Sequence, residues 1–201
     1  MITFFSKPSF CRSFYKTDRE SPAIIIAPGP HSRAAFACAW AGRGPPIRKI
    51  FHFESPRERY KCDAAIVWCF DHRFEQALRK LIKRLNINSF DPIRVAGGAR
   101  CLAGKDPESD RQFILKQLRS SMLLHGTDTV LLMLHSDCGA YGGLAAFDND
   151  TAREAENHRQ DLHRALDFLR ANIPELHVLG YFVDFEGVWE ALDSKAEGLT
   201  A

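Results

Sequence analysis

The chain contains no run of about 18 apolar residues, the least a helix needs to cross a bilayer, so no membrane span is expected. It also lacks any C-x-x-C pair. That absence argues against thiol–disulfide redox chemistry and against a closed four-cysteine metal site. An excess of one charge is missing too. Lys and Arg number 27 against 25 Asp and Glu, a net +2, which gives no strong pull toward nucleic acid or a membrane surface. The glycine pair in VAGGA has no spaced third glycine, so it makes a poor phosphate cradle. No signal peptide is recognisable, and the chain is too large to need disulfide staples. Its six cysteines therefore read as free thiols or metal ligands in a reducing compartment, with the cytoplasm as the default.

What is present begins at 201 residues, enough for one domain with an appendage and for a real core. Residues 1–55 hold many Pro, Ser, Arg and aromatic residues with little sustained periodicity, and read as an N-terminal arm, loosely packed or wrapping a partner subunit. A transit peptide would share this composition, but the prolines interrupt any amphipathic helix. Residues 56–201 read as the folded domain. CDAAIVWCF (62–70), DPIRVAGGA (91–99), TDTVLLMLHS (127–136) and HVLGYFVDF (177–185) have the short apolar runs of buried strands. Between them, residues 74–85, 108–124 and 151–171 repeat apolar residues at helical spacing, and the basic RKLIKRL reads as a solvated helix face. Strands alternating with helices predict an α/β fold, a mostly parallel sheet flanked by helices.

In such a sheet ligands gather at the carboxyl ends of strands. One strand runs directly into CFDHR (69–73), and another into HSDCGAYGG (135–143). If the sheet is parallel, Cys69, His135 and Cys138 converge on one edge. Two thiolates and an imidazole form a good zinc set, and three protein ligands leave a fourth position for water. Each cysteine alone would read as a small buried hydrophobe. Asp71 either serves as a fourth ligand or, gripped by Arg73 in a two-pronged ion pair that lowers its pKa, stays off the metal and accepts a proton-bearing group. The same two residues would also suit a helix cap. Trp68 and Phe70 are expected to pack the sheet, and Tyr141 to pack beside the turn. His125, His158, His163 and His177 are expected on the surface or on helices, with His158 and Asp161 on one helical face.

Cys69-Phe-Asp71-His-Arg73, followed by His135-Ser-Asp-Cys138-Gly139, resembles the C-x-D-x-R … H-x-x-C-G signature of the β-class carbonic anhydrases. RVAGGA (94–99) resembles the segment between the two halves of that signature, and the similarity spans about residues 62–185. The resemblance implies Zn2+ held by Cys69, His135 and Cys138, with Asp71 and Arg73 as a catalytic dyad, in a homodimer or larger homo-oligomer. It implies reversible hydration of carbon dioxide to bicarbonate by hydroxide formed on zinc. Backbone N–H groups at Gly97 and Gly139 would then contact the substrate. Two alternatives keep the same fold: hydrolysis of carbonyl sulfide or carbon disulfide, and zinc or anion binding without turnover. The chain departs from the family pattern in lacking the asparagines of the intervening segment, in His72, and in the glycine-rich AYGG.

Overall fold

The computed structural model describes residues 48–197. The expected arm over residues 1–55 lies, up to residue 47, outside the described residues.

Five strands form one sheet in the order β2-β1-β3-β4-β5: β1 Ala64–Trp68, β2 Phe90–Arg94, β3 Thr129–His135, β4 His177–Val183 and β5 Val188–Asp193. The first four are parallel, as their apolar runs require. β5 runs antiparallel to β4 at the edge, with a register shift at Gly180/Tyr181, and was not read from the sequence. Its Val-Trp-Glu-Ala-Leu-Asp pattern is half solvated, and only Leu192 is deeply buried.

Three long helices cover the sheet: α1 Glu75–Arg84, α2 Glu108–His125 and α3 Thr151–Asn172. A last turn, α4, spans Ser194–Glu197. Alternation along the strands sorts the core. On β3, Val130, Leu132 and Leu134 face α2 and α3, where they meet Ile114, Leu118, Leu162 and Leu166. Leu131 and Met133 face the other way, into a cluster with Leu78 and Leu81 of α1. Each fully buried Leu or Ile contributes about 1.5–3 kcal/mol relative to exposure. The helix ends follow local chemistry. Asp150 caps α3 by accepting from Ala152 N and Arg153 N at 2.9 and 3.1 Å. Gly126, at φ 66°, closes α2 through its N–H to Met122 O.

The chain leaves β1 for β2 on one side and returns to β3 on the other. The β1/β3 boundary is thus the topological switch point of the sheet, where a crevice opens beyond the strand carboxyl ends. The expected strand over 91–99 stops at Arg94, because Gly97 and Gly98 take left-handed φ values of 74° and 55° and turn the chain into a 3-10 segment. Among the described residues no helix is long and apolar enough to cross a membrane.

Candidate metal centre

Cys69 follows the last residue of β1, and His135 is the last residue of β3, its neighbour across the switch point. Cys138 stands three residues further on, at the entrance of a short 3-10 turn. One ligand-capable atom from each lies within 4.8 Å of the others, and all three residues are buried. The expected convergence is therefore present in the fold.

The chemistry of these three side chains suits a cation. His135 Nδ1 lies 2.8 Å from the Ser136 carbonyl and donates to it, which leaves Nε2 as the basic nitrogen. Nε2 is buried and has no hydrogen-bond partner among the described residues. An orphaned buried imidazole nitrogen is costly unless something coordinates it. Trp68 and Phe74 hold the ring, with centroids 5.5 and 4.9 Å away. The Cys138 thiol lying against Cys69 draws the Cys69 pKa down despite burial, with help from backbone N–H groups of Asp71 and Gly97. The same contact raises the Cys138 thiol, so the pair shares one proton, and two sulfurs with an imidazole nitrogen suit zinc.

Gly98 sets how closely the two strand ends approach. A Cβ on it would lie 2.4 Å from Met133 O and 3.0 Å from Cys69 N, and its φ is 55°. Only glycine fits there. Gly97 is buried, and its backbone N–H helps to lower the Cys69 pKa. Gly139 is exposed on the turn, with nothing crowding its Cα.

Beside the donor set, Asp71 and Arg73 form the expected fork. Arg73 Nε lies 3.1 and 3.0 Å from the two Asp71 oxygens, and Nη2 lies 2.7 Å from Oδ2. These bonds hold the Asp71 carboxyl below the usual carboxylate range. Asp71 also accepts from Arg73 N at 2.9 Å, capping a 3-10 turn, so the capping and ion-pair readings coexist.

Sequence reasoning missed two supports. Asp137 Oδ2 accepts from Arg73 Nη1 at 2.9 Å, and its carbonyl accepts from Nη2 at 2.9 Å. This geometry depends on the left-handed φ of 51° at Asp137, which no spacing rule reveals. Beneath it, the buried Glu154 of α3 accepts from Asp137 N at 2.7 Å, and burial pushes its carboxyl pKa up.

Other expectations need correction. Phe70 does not pack the sheet; it is 64% exposed, while Trp68 is fully buried. His158 lies on a helix, one of the two placements expected of it, but not on the surface. It lies buried on α3 with Asp161, four and seven positions before the core residues Leu162 and Ala165, which share its face. The Tyr141 ring lies tilted against His158 with centroids 4.3 Å apart, and its hydroxyl donates to Asp161 at 2.9 Å. His125 is partly buried against Asp91.

Residues 60–193 match the model of a family described as "Putative carbonic anhydrase". A Rickettsia bellii protein described only as uncharacterized is 24% identical over 152 residues, covering 72% of this chain and 93% of its own length. Among solved structures, the β-carbonic anhydrase isoform I of Trichomonas vaginalis is similar at 14% identity and a TM-score of 0.48, covering 71% of this chain and 88% of its own. The carbonic anhydrase of Glaciozyma antarctica is similar at 22% identity and a TM-score of 0.43, over 68% and 85%.

Proposed function

The chain belongs to that carbonic anhydrase family, and on this premise we propose that it is a zinc enzyme hydrating carbon dioxide reversibly to bicarbonate. The observation that carries the reading is the buried trio Cys69, His135 and Cys138, with His135 Nε2 unpartnered, lying beside the Asp71–Arg73 fork. The three residues would hold the ion through two sulfurs and Nε2. Zinc so held supplies Lewis acidity, which lowers the pKa of water to about 7.

The remaining work falls to the chain. Asp71 has both oxygens engaged by Arg73 and stays ionised, so it acts as an oriented acceptor rather than a fourth ligand. Accepting one O–H of the attacking water leaves the water's lone pair facing the carbon. Arg73 cannot swing away, because Asp137 holds the far side of its guanidinium. Its planar group also lies 5.6 Å from the ring centres of both Phe74 and Phe185. Phe74 and Trp68 keep solvent from the back of the His135 ring. A cleft of about 360 Å³ lined by Arg73, Phe74, Lys80 and Phe185 lies on the Arg73 side of the dyad. Assembly as a homodimer or a multiple of one belongs to the same proposal, and sedimentation velocity on the full chain reads it.

Stopped-flow hydration of carbon dioxide by metal-replete protein tests the activity, with a rate well above buffer expected. A rate equal to buffer overturns it. Sulfide release from carbonyl sulfide in that event would reassign the substrate while keeping the site.

A further inference from the structure

A second mixed donor set lies at the opposite edge of the sheet. Cys62 precedes β1, Asp91 lies near the start of β2, and His125 ends α2. One ligand-capable atom from each falls within 4.8 Å of the others. The strands are parallel, so this cluster is at their amino ends, a full strand or roughly 20 Å from Cys69.

The cluster is held by bonds outside the donor atoms. Cys62 N donates to the His125 carbonyl at 3.1 Å, tying the segment before β1 to the end of α2. Ser121 donates to Asp91 Oδ2 at 2.6 Å, one helical turn before His125. The Tyr60 ring stacks on His125 with centroids 4.3 Å apart. Cys62 is buried, and the Asp91 and His125 side chains are 19% and 25% exposed. A cleft of about 230 Å³, lined by Asp91, Gln117, Ser120, Leu124 and His125, opens on the cluster and gives an ion an entry path.

We propose that Cys62, Asp91 and His125 form a second metal site, for a zinc-class cation, that clips the amino ends of β1 and β2 to the end of α2. A thiol, an imidazole and a carboxylate together match a borderline-soft divalent ion better than magnesium or calcium, which prefer oxygen alone. Cys62 Sγ lies 3.3 Å from Asp91 Oδ1, and His125 Nδ1 lies 2.9 and 2.7 Å from the two Asp91 oxygens. Around a tetrahedral zinc, with bonds of about 2.0–2.3 Å, those edges measure about 3.3–3.5 Å. Opening the His125–Asp91 contact by about 0.4–0.6 Å admits the ion, which takes the place of the protons now held between Asp91 and its two partners. The fourth position faces the cleft and water. The site does not depend on the activity proposed above, since it shares no residue with it.

Metal content of the full chain, purified from zinc-supplemented medium, tests the site. About two ions per chain are expected. Cys62→Ser lowers this to about one, and the Cys69→Ser/Cys138→Ser double variant also lowers it to about one. Cobalt added to the apo form of the double variant gives a thiolate charge-transfer band from a single sulfur, and that band is lost when Cys62→Ser is added. Full metal content in Cys62→Ser, or no thiolate band in the double variant, overturns the site and leaves the trio a hydrogen-bond network. Metal that survives the double variant but not Cys62→Ser overturns the first centre instead. His125→Gln, with its fold checked by near-UV circular dichroism, repeats the test without touching a thiol, and unchanged metal content there also counts against the site.

Discussion

Replacing Gly98 with alanine tests how the two strand ends are brought together. The new Cβ would sit 2.4 Å from Met133 O and 3.0 Å from Cys69 N, both backbone atoms that cannot rotate away. Holding a non-glycine residue at φ 55° costs about 1–2 kcal/mol. Forcing a methyl into a filled space adds about 1–3 kcal/mol. The sum, about 2–5 kcal/mol, corresponds to a fall in Tm of roughly 4–20 °C for a domain of this size. Gly126→Ala supplies the control, because φ there is 66° but nothing lies within 4 Å. It should carry only the backbone part, about 1–2 kcal/mol. Thermal and urea unfolding of both variants, side by side, give the comparison. Gly98→Ala should also lose metal more readily, since the displaced atoms belong to Cys69 and to the strand that ends in His135. If Gly98→Ala unfolds no earlier than Gly126→Ala, the close approach of the β1 and β3 ends is wrong.

Cys138→Ser should leave the fold intact yet abolish metal retention at the first centre, read by metal analysis after dialysis. Asp71→Asn should lower kcat/KM for hydration by about 100-fold or more, as removal of a positioned acceptor does. The depressed Asp71 pKa contributes stability above its unfolded value of about 3.9, and this is lost as pH falls through the lower folded value. The Tm gap between wild type and Asp71→Asn should therefore be full at neutral pH and close in strong acid. Glu154 behaves in the opposite sense. Its raised pKa contributes stability below the unfolded value that is lost as pH rises through the folded value, so Glu154→Gln should gain on wild type as pH rises above the unfolded value of about 4.3. Tyr141→Phe removes a 2.9 Å bond to the buried Asp161 and should cost about 1.5–3 kcal/mol by urea denaturation.

The convergence of Cys69, His135 and Cys138 was legible because both segments follow strongly apolar strands, and parallel pairing sends such ends to one edge. The Asp71–Arg73 fork was legible because both partners lie in one short segment. Asp137 was not, since its grip on Arg73 arises from a single left-handed residue in the second loop. β5 escaped notice because an edge strand with Trp189 and Glu190 facing solvent lacks the continuous apolar run that marks the other strands. The burial of His158 left a trace in its spacing to Leu162, but a lone histidine on a charged helix reads as surface. Cys62, Asp91 and His125 offered no spacing at all, as three separate elements supply them. Phe70 shows the reverse failure: an aromatic beside a buried strand looked like core, yet the backbone turns there and leaves the ring exposed.

Between Cys69 and His135 the chain makes α1, β2 and α2, and β1 lies directly beside β3 in the sheet. No fragment that stops before Cys138 holds the complete trio, so a nascent polypeptide must release β3 and the turn after it before the proposed ion could bind at that edge. Docking of these two strands closes a long loop and is entropically among the slower contacts to form. If the trio holds the proposed cation, uptake marks the docking of β3 beside β1, while α3, β4 and β5 are still to be added.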